Sequence, residues 1–263
     1  MIVKTLNRLI TFISESLLFP SYSTRKRLAF HYLHGIGLEL GALHHPLETP
    51  PGVVVRYLDL VTRDENIRRY PHVAETRIVP TDILDDGFTL TTIADASQDF
   101  IIANHLLEHA PNTLQTLVNW HRVLKPNGTL FITLPIGDKN FDRGREVTSL
   151  VHFVEDYKLA KNRNLNQFAQ RNREHYKEFV EISLQNLNLM RRRRPMTLER
   201  QQEYLEQLIA GESTDPHFHV FSKESILLLF NYFITTSAPD LSLRETARSR
   251  LGQEYVVILR KSP

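Results

Sequence analysis

A short stretch near residue 40 has the residue types and spacing to hold a nucleoside. Glu39 is the lone acid in a short apolar run that ends at Gly41, and Asp59 ends the next apolar run. A glycine at the end of a buried strand lets the backbone turn sharply beside a ligand. An acid about 20 residues further on is placed to accept hydrogen bonds from ribose hydroxyls. The pattern predicts a nucleoside site, against the simpler alternative of an ordinary loop glycine beside a solvated acid.

The residues that follow Gly41 argue against a bound pyrophosphate. The phosphate-binding fingerprint of dinucleotide folds has glycines in the order G-x-G-x-x-G. In this chain Ala42, Leu43 and His44 follow Gly41, so the later glycines of that fingerprint are missing. We therefore expect a nucleoside without a pyrophosphate.

A group of proton-transfer residues follows a later apolar run. His105, Glu108 and His109 come just after the run 100–103. His105 and His109 are spaced so that a helical turn would place both on one face. Either imidazole has the chemistry to remove a proton from a hydroxyl nucleophile. His105 is the nearest candidate base and His109 the second; the alternative is that they pack or orient the loop without reacting.

A second histidine group lies in the C-terminal half of the chain. His217 and His219 flank Phe218, and alternate residues of an extended segment point to the same side. Together with His152 and the pair Glu155-Asp156 they have the donor types for a divalent metal ion. Because the sequence does not fix the distances between these segments, we expect no metal site. We predict instead that His217 or His219 lines an acceptor pocket, which makes His217 a third candidate catalytic residue.

Alternating strand and helix patterns predict an α/β fold that holds these residues. Strands are predicted over 37–41, 53–58, 76–79, 99–103 and 129–134, and helices over 63–70 and 113–124. Such alternation is typical of a doubly wound, mostly parallel sheet covered on both faces. Two further strands, over 240–244 and 254–260, predict an antiparallel hairpin at the sheet edge, preceded by a helix that begins near Ser222.

The same patterns divide the chain into four parts. Residues 1–34 read as an N-terminal helical segment, with helical spacing over 2–19. Residues 35–138 read as the first part of the α/β core, and 219–263 as its C-terminal helix and strands. Between them, 139–218 is charged, poor in glycine and helical in spacing, which predicts an inserted helical cap. The run of four arginines at 191–194 is interpreted as a solvated surface or helix end.

Composition excludes several classes of function. A net charge of +2 over 263 residues gives no indication of a nucleic-acid partner. The chain has no cysteine, which excludes a disulfide framework and fits a cytoplasmic location. No apolar run approaches the ~20 residues that span a bilayer, and no signal-peptide pattern is evident, so we expect no stable membrane insertion.

Several of these segments together resemble class I methyltransferases that use S-adenosylmethionine, of the type 11-like kind. Leu38-Glu39-Leu40-Gly41 resembles the first motif of that family, Asp59 the acid that closes its second strand, and Thr81-Asp82 its third-strand position. The segments 99–109 and 122–130 are similar to its fourth-strand motif and to the lead into its fifth strand. The resemblance covers roughly 35–135 and the final hairpin. More narrowly, 41–47 and 103–105 resemble a bacterial subgroup associated with sugars or polysaccharides.

The resemblance implies a seven-stranded sheet and a set of cofactor contacts. Glu39 and Gly41 would hold the methionine end, Asp59 the ribose hydroxyls, and Asp82 the adenine amino group. Asn104 would lie beneath the sulfonium. The complete set of cofactor-binding residues implied in this way is Glu39, Leu40, Gly41, Ala42, Asp59, Leu60, Asp82, Ile83, Asn104 and His105.

The function implied by the resemblance is methyl transfer from S-adenosylmethionine, with S-adenosylhomocysteine as product. The acceptor would be a small molecule or a glycan, methylated at oxygen, with His105, His109 or His217 as candidate catalytic residues. Two alternatives stay open at this point: a cofactor-binding module without turnover, and a nicotinamide oxidoreductase on a similar sheet, which the missing glycines disfavour.

Overall fold

A computed structural model describes residues 20–71, 73–211, 216–249 and 252–263. The helix expected over 2–19 lies outside these residues. In the described part the chain forms a seven-stranded sheet with helices on both faces. The strands are β1 (Ile36–Leu40), β2 (Val54–Asp59), β3 (Ile83–Leu84), β4 (Gln98–Asn104), β5 (Leu124–Pro135), β6 (Leu241–Arg248) and β7 (Glu254–Lys261). The helices are α1 (Pro20–Tyr32), α2 (Arg63–Arg69), α3 (Thr113–Val123), α4 (Leu150–Lys161), α5 (Leu165–Glu178), α6 (Leu184–Met190), α7 (Leu198–Ile209) and α8 (Lys223–Thr236).

The strand order confirms the predicted doubly wound sheet. The order is β3-β2-β1-β4-β5-β7-β6, and the pairs β1–β2, β1–β4, β2–β3 and β4–β5 are parallel. β7 pairs antiparallel with both β5 and β6, which confirms the C-terminal hairpin at the sheet edge. The order reverses between β1 and β4. A crevice opens at such a reversal, beyond the carboxyl ends of the strands, and ligands bind there in open α/β sheets.

Alternate residues of the central strands fill two apolar layers. On one face Ile101 and Ile132 pack with Trp120 of α3 and Phe230 of α8. On the other face Ile102 and Phe131 pack against Leu28 and Ala29 of α1. Because both faces are covered, the central strands are apolar on both sides, as parallel strands generally are.

The strand predicted over 76–79 is wrong. Residues Glu75–Arg77 form a single 3₁₀ turn, and the third strand is the two-residue β3. The Val79 amide donates to the carbonyl of Leu43, so this stretch is bonded to the loop after β1 and not to β2. The error matters because it moves the carboxyl end of the third strand from Asp82 to Asp85 and Asp86.

Between β5 and α8 the chain adds helices α4 to α7, and we call these helices the cap. α5 continues through a π-helical turn, Phe179–Ser183, into α6. A small cluster of Phe179, Val180 and Leu208 forms a core of its own beside the sheet. The arginines at 191–194 are exposed just after the end of α6. No helix in the described ranges has the length and apolar character that crossing a membrane requires.

Helix α8 begins at a reciprocal cap that offers a stability test. The Ser222 hydroxyl accepts from the Ser225 amide at 3.1 Å, and the Ser225 hydroxyl accepts from the Ser222 amide at 2.9 Å. Ser222→Ala is expected to lower the free energy of unfolding by about 1 kcal/mol, measured by urea denaturation. Ser222→Thr retains a capping hydroxyl and is the control. Equal stability of the alanine variant and the unaltered protein would contradict this role.

Candidate functional site

A pocket lies at the carboxyl ends of β1, β2 and β4, where the strand order reverses. It encloses about 870 Å³ of empty space, including its open mouth. Apolar and acidic side chains share its wall. The lining residues are Gly41, Leu43, Leu58, Asp59, Leu60, Val61, Asn66, Arg69, Tyr70, Asp86, Gly87, Phe88, His105, Leu106 and His109.

Gly41 forms the turn that opens the pocket floor. Its φ is +63°, a left-handed conformation that side chains other than glycine disfavour. Its amide still donates to the carbonyl of Leu58, so the turn is anchored to β2. A Cβ placed on Gly41 would contact just the Leu106 side chain, at 3.8 Å. The space above the turn is therefore open to a ligand.

Asp59 presents an oriented carboxylate at the end of β2. One carboxylate oxygen accepts from the Val61 amide at 3.2 Å, and the other from the Asn66 side-chain amide at 3.0 Å. Asn66 is a buried residue of α2, so it holds the carboxylate in place. An ionised carboxylate has about four acceptor sites, which leaves sites for two ribose hydroxyls.

The pocket wall opposite Asp59 is formed by the loop after β3. Side chains of α3 donate hydrogen bonds to this loop. The Trp120 indole donates to the carbonyl of Gly87 at 2.7 Å, and the Asn119 side chain donates to that of Phe88 at 2.9 Å. Asp86 accepts from the Phe88 amide and shapes the tip of the loop. An acid and an aromatic ring therefore face Asp59 across the pocket. Sequence reasoning missed both because it placed the third strand too early.

Glu39 lies beneath the pocket floor and not in its wall. It is 1% exposed, and its carboxylate accepts from the Leu47 amide at 2.9 and 3.1 Å and from Asn104 at 3.3 Å. Asn104 in turn accepts from the Thr133 hydroxyl at 2.6 Å. Burial raises the pKa of Glu39 to about 7, although the amide donors oppose that shift. Glu39 therefore fixes the loop that follows Gly41.

The structure brings together some of the predicted cofactor residues and separates others. Gly41, Asp59, Leu60 and His105 line the pocket, whereas Glu39, Leu40, Ala42, Asp82, Ile83 and Asn104 do not. Asp82 accepts from the Tyr57 amide at 2.8 Å, in the middle of β2, and so extends the pairing of β2 and β3. Its contact with adenine stays a prediction, and Asp86 is the acid that the pocket contains.

His105 lies between two carboxylates. Its Nε2 lies 2.9 Å from Glu254 and its Nδ1 lies 3.5 Å from Glu108, while Arg25 also pairs with Glu254. Its φ is +50°, so the backbone is left-handed here too. Burial lowers the pKa of His105, but the two carboxylates outweigh it and raise the value to about 8. His105 is therefore mostly protonated at neutral pH and is a poor base.

This arrangement predicts a pH dependence of stability. The folded pKa of His105 is about 8 and the ordinary value is 6.5, so its contribution is complete below pH 6.5 and is lost as the pH rises through 8. Because 39% of the side chain is exposed, solvent screening reduces the contribution to about 1 kcal/mol. Urea denaturation should show this loss between pH 6.5 and 9, and His105→Asn should lack it. An identical pH profile for the variant would contradict the pairing.

His109 lines the pocket with a defined tautomer. Its Nδ1 lies 3.1 Å from the carbonyl of Pro216. A carbonyl oxygen only accepts, so Nδ1 carries the proton and Nε2 carries the lone pair in the neutral ring. His109 ends the 3₁₀ turn Leu107–His109 that follows β4, which places it beside Leu106 and His105. His109 is therefore the pocket histidine whose neutral form has an acceptor nitrogen away from Pro216.

His217 packs behind His109 and is held by a buried acid. Its ring lies edge-on to that of His109, with centroids 4.6 Å apart, and its Nδ1 lies 2.6 Å from Asp142. Asp142 also accepts from the Ser183 hydroxyl and from Arg145. Burial would raise the pKa of Asp142, but His217, Ser183 and Arg145 lower it, so it is ionised. His217 does not line the pocket, and it supports His109 from the side of the cap.

His219 faces a different cluster from His217. Segment 216–221 lies between the cap and the core, and its amides at Phe218 and His219 both donate to the carbonyl of Glu108. His219 packs near His152, Asp156 and His175, whose metal-ligating atoms lie within 4.8 Å of one another and of its own. His217 and His219 therefore face different clusters, although their alternation predicted that both point to the same side.

The lining of the pocket fits a nucleoside without a phosphate. Asp59 and Asp86 are acidic, and Arg69 and the protonated His105 are the cations among the described lining residues. No glycine-rich cradle follows Gly41 in the sequence. Both alternatives considered from the sequence, the module without turnover and the nicotinamide oxidoreductase, are not favoured.

Comparison with known proteins agrees with this geometry. Residues 56–132 match the model of a family described as a methyltransferase domain. No curated protein matches the chain significantly. The matched segment runs from β2 to β5 and so includes Asp59, the wall at Asp86, and both His105 and His109.

Solved structures with a similar overall trace include several methyltransferases. An S-adenosylmethionine-dependent methyltransferase from Thermotoga maritima is 13% identical, with 97% of each chain covered and a TM-score of 0.44. One from Aquifex aeolicus is 10% identical, covering 94% of this chain and 93% of that one, with a TM-score of 0.48. The N1-methyltransferase for 1,6-didemethyltoxoflavin from Burkholderia thailandensis, solved with S-adenosylhomocysteine, is 13% identical over 100% and 85%, with a TM-score of 0.46. The likeness is distant and says nothing about a shared substrate.

The family match lies on the strands that build the pocket, and the strand order is that of the class I sheet. S-Adenosylmethionine is the cofactor of that class, and it needs no phosphate cradle. Residues 56–132 therefore match a methyltransferase domain on a sheet with the class I strand order, which supports an S-adenosylmethionine-dependent methyltransferase.

Proposed function

We propose that the protein methylates a hydroxyl group of a small-molecule or glycan acceptor, with His109 as the general base. The observation that carries this proposal is the tautomer of His109, a residue that lines the pocket: with Nδ1 on the carbonyl of Pro216, the lone pair of the neutral ring is at Nε2. An amine can lose its proton to solvent before it attacks through its lone pair, whereas a hydroxyl must lose its proton as it attacks. An imidazole positioned to accept that proton therefore suits an oxygen acceptor.

The cofactor site in this proposal is the pocket floor and its two walls. Asp59 accepts from the ribose hydroxyls, the turn at Gly41 admits the methionine end, and Asp86 and Phe88 contact the base. When bound, S-adenosylmethionine supplies an electrophilic methyl group. Orientation accounts for most of the remaining catalysis, since it lowers barriers by up to ~7–11 kcal/mol in favourable cases.

His109 receives the proton at Nε2 as the acceptor oxygen attacks. The resulting imidazolium keeps its Nδ1–H on the carbonyl of Pro216. Glu108 is 0% exposed, and its carboxylate interacts electrostatically with His109. Burial would raise the pKa of Glu108, but its histidine neighbours lower it, so it is ionised and stabilises the positive ring. His217 and Asp142 keep the ring of His109 in place.

The acceptor would enter from the side of the cap. Pro216, Phe218 and His217 belong to the segment that joins the cap to α8, and this segment contacts the turn with His109. Phe141 packs on His217, with ring centroids 4.6 Å apart. An acceptor that reaches Nε2 of His109 therefore meets a wall shaped by the cap.

Matched acceptor pairs test the proposal. The purified protein is incubated with S-adenosylmethionine and with sugars, polyols and phenols, each paired with its amino analogue, and S-adenosylhomocysteine is quantified. The expected result is turnover with hydroxyl acceptors and a methyl ether in the product by NMR. Turnover confined to the amino analogues would contradict oxygen methylation. Product formation that His109→Asn leaves unchanged would contradict the base.

A further inference from the structure

A second cluster of imidazole and carboxylate groups lies inside the cap, away from the pocket. His152 and Asp156 are one helical turn apart on α4, His175 lies on α5, and His219 lies on the segment before α8. Their metal-ligating atoms all lie within 4.8 Å of one another. None of the four residues lines the pocket that holds Gly41 and Asp59.

The hydrogen bonds in this cluster are incomplete. His152 and His175 face each other through their Nε2 atoms at 2.9 Å, so one of them must donate to the other. His219 is 1% exposed, and the backbone of Ala110 is the hydrogen-bonding group near its ring, at a geometry that falls short of a good hydrogen bond. Oδ2 of Asp156 also makes no well-aligned hydrogen bond with a described residue, although it lies 3.1 Å from Nε2 of His152. Buried polar atoms without partners are rare in folded proteins and call for a reason.

Two of the three histidines, His175 and His219, are buried, and burial favours the neutral form that binds metal ions. Burial and the neighbouring histidines lower the pKa of His219 well below 6.5, although the backbone of Ala110 acts in the opposite direction. Burial, with His152 as the next cause, lowers the pKa of His175 to about 3. Neutral imidazoles present lone pairs, and lone pairs directed at one point are what a metal ion requires.

The donor set selects the class of ion. Three imidazole nitrogens and one carboxylate oxygen suit Zn²⁺ and its transition-metal neighbours, whereas Mg²⁺ and Ca²⁺ prefer oxygen ligands. In a tetrahedral site with bonds of about 2.0 Å, neighbouring donor atoms lie about 3.3 Å apart. The distances between His152 and His175 and between His152 and Asp156 are 2.9 and 3.1 Å, close to that value.

The surrounding residues match the outer contacts of a metal site. Arg171 donates through Nε to Oδ1 of Asp156, which leaves Oδ2 for an ion. Arg171 also donates to the carbonyl of His152 and pairs with Glu155. Ligating carboxylates are commonly held in this way by a hydrogen bond to their second oxygen.

We propose that His152, Asp156, His175 and His219 bind one divalent transition-metal ion, with Zn²⁺ as the best fit to the donor set. Four protein ligands complete the coordination, which makes the site structural. The ion would join α4 and α5 of the cap to the segment whose Phe218 and His219 amides bond to the carbonyl of Glu108. It would thereby fix the cap against the turn that carries His109. This inference replaces the sequence-based expectation of no metal.

Metal analysis of purified protein tests the site without any reference to methyl transfer. The full chain is expressed in zinc-supplemented medium, purified without chelators or a histidine tag, and analysed by mass spectrometry for metals. About one Zn²⁺ per chain is expected. Chelation and reloading with Co²⁺ should give the intense visible absorption of a four-coordinate site. Protein with neither zinc nor that absorption would overturn the proposal.

Two variants locate the ion. Asp156→Asn keeps the shape and the bond to Arg171 but weakens the ligand, and His152→Asn changes a ligand that is partly exposed and so less critical for folding. Both are expected to reduce the affinity for Zn²⁺ by 10-fold or more. His121→Asn, whose histidine pairs with Asp240 and is not one of the four proposed ligands, is the control. Equal Zn²⁺ affinity in all three variants would place the ion elsewhere and overturn the assignment.

Discussion

His109→Asn is expected to reduce kcat by roughly 10²- to 10⁴-fold, the usual contribution of a positioned general base. Asparagine keeps a polar side chain of similar reach but has no group that accepts a proton at neutral pH. The binding of S-adenosylhomocysteine should change little, because the proposed methionine and ribose contacts lie at Gly41 and Asp59. The measurement is single-turnover methyl transfer, which separates chemistry from product release.

The pH dependence distinguishes a base from a packing residue. With His109 as the base, the acid limb of the pH–rate profile should disappear in the variant. His121→Asn, on α3 beside Asp240, is the control and should keep both the rate and the limb. A small drop in rate with an unchanged acid limb would show that His109 only packs, and the base would have to be sought elsewhere.

Asp59→Asn is expected to weaken the binding of S-adenosylhomocysteine by roughly 10- to 150-fold. This corresponds to the loss of charge-assisted hydrogen bonds worth ~1.5–3 kcal/mol. The variant keeps one oxygen to accept from the Val61 amide, and a flip of the Asn66 side-chain amide lets its oxygen accept from the new NH2 group, so the loop should stay in place. Isothermal titration calorimetry measures the affinity directly, and thermal unfolding checks that the fold is intact.

Asp82→Asn is the matched comparison for this result. Asp82 accepts from the Tyr57 amide and does not line the pocket, so its variant should bind S-adenosylhomocysteine within about two-fold of the unaltered protein. The opposite result, with weaker binding in Asp82→Asn and unchanged binding in Asp59→Asn, would make Asp82 the acid that contacts the cofactor. The ribose site would then have to move along the sheet.

Most of the sheet could be predicted from the sequence because the residues that mark the ends of its strands lie next to those strands in the chain. Glycine after a short apolar run marks the end of β1, and Asp59 marks the end of β2, so both anchors of the pocket follow from position along the chain. The position of the third strand was predicted wrongly because β3 is two residues long. Its pairing with β2 is extended by the Asp82 side chain, which accepts from the Tyr57 amide. No period-2 pattern survives in so short a strand, so Asp86 and Phe88 were missed.

The surroundings of the histidines could not be predicted from the sequence pattern. The alternation of His217 and His219 would place both on one side of a regular strand, but segment 216–221 forms only a single bridge to the sheet, at Phe221. His217 therefore packs on Asp142 and His219 on His175. His175 itself lies on a polar helix with no sequence signal, and it is buried because α5 packs against α4.

The protonation of His105 could not be predicted from the sequence either. Its neighbour Glu108 is close in sequence, but Glu254 comes from the far end of the chain and reaches His105 through β7. Two carboxylates turn the nearest candidate base into a cation, and no local pattern shows the second one. A charge pair between residues so far apart in the chain depends on the completed sheet.

A crystal structure with S-adenosylhomocysteine bound tests the central claim most directly. The account predicts that the ribose hydroxyls lie within hydrogen-bonding distance of the Asp59 carboxylate, with the amino-acid end above Gly41 and the sulfur facing His109. Density for the nucleoside outside this crevice, or ribose hydroxyls on any other acid, would contradict it.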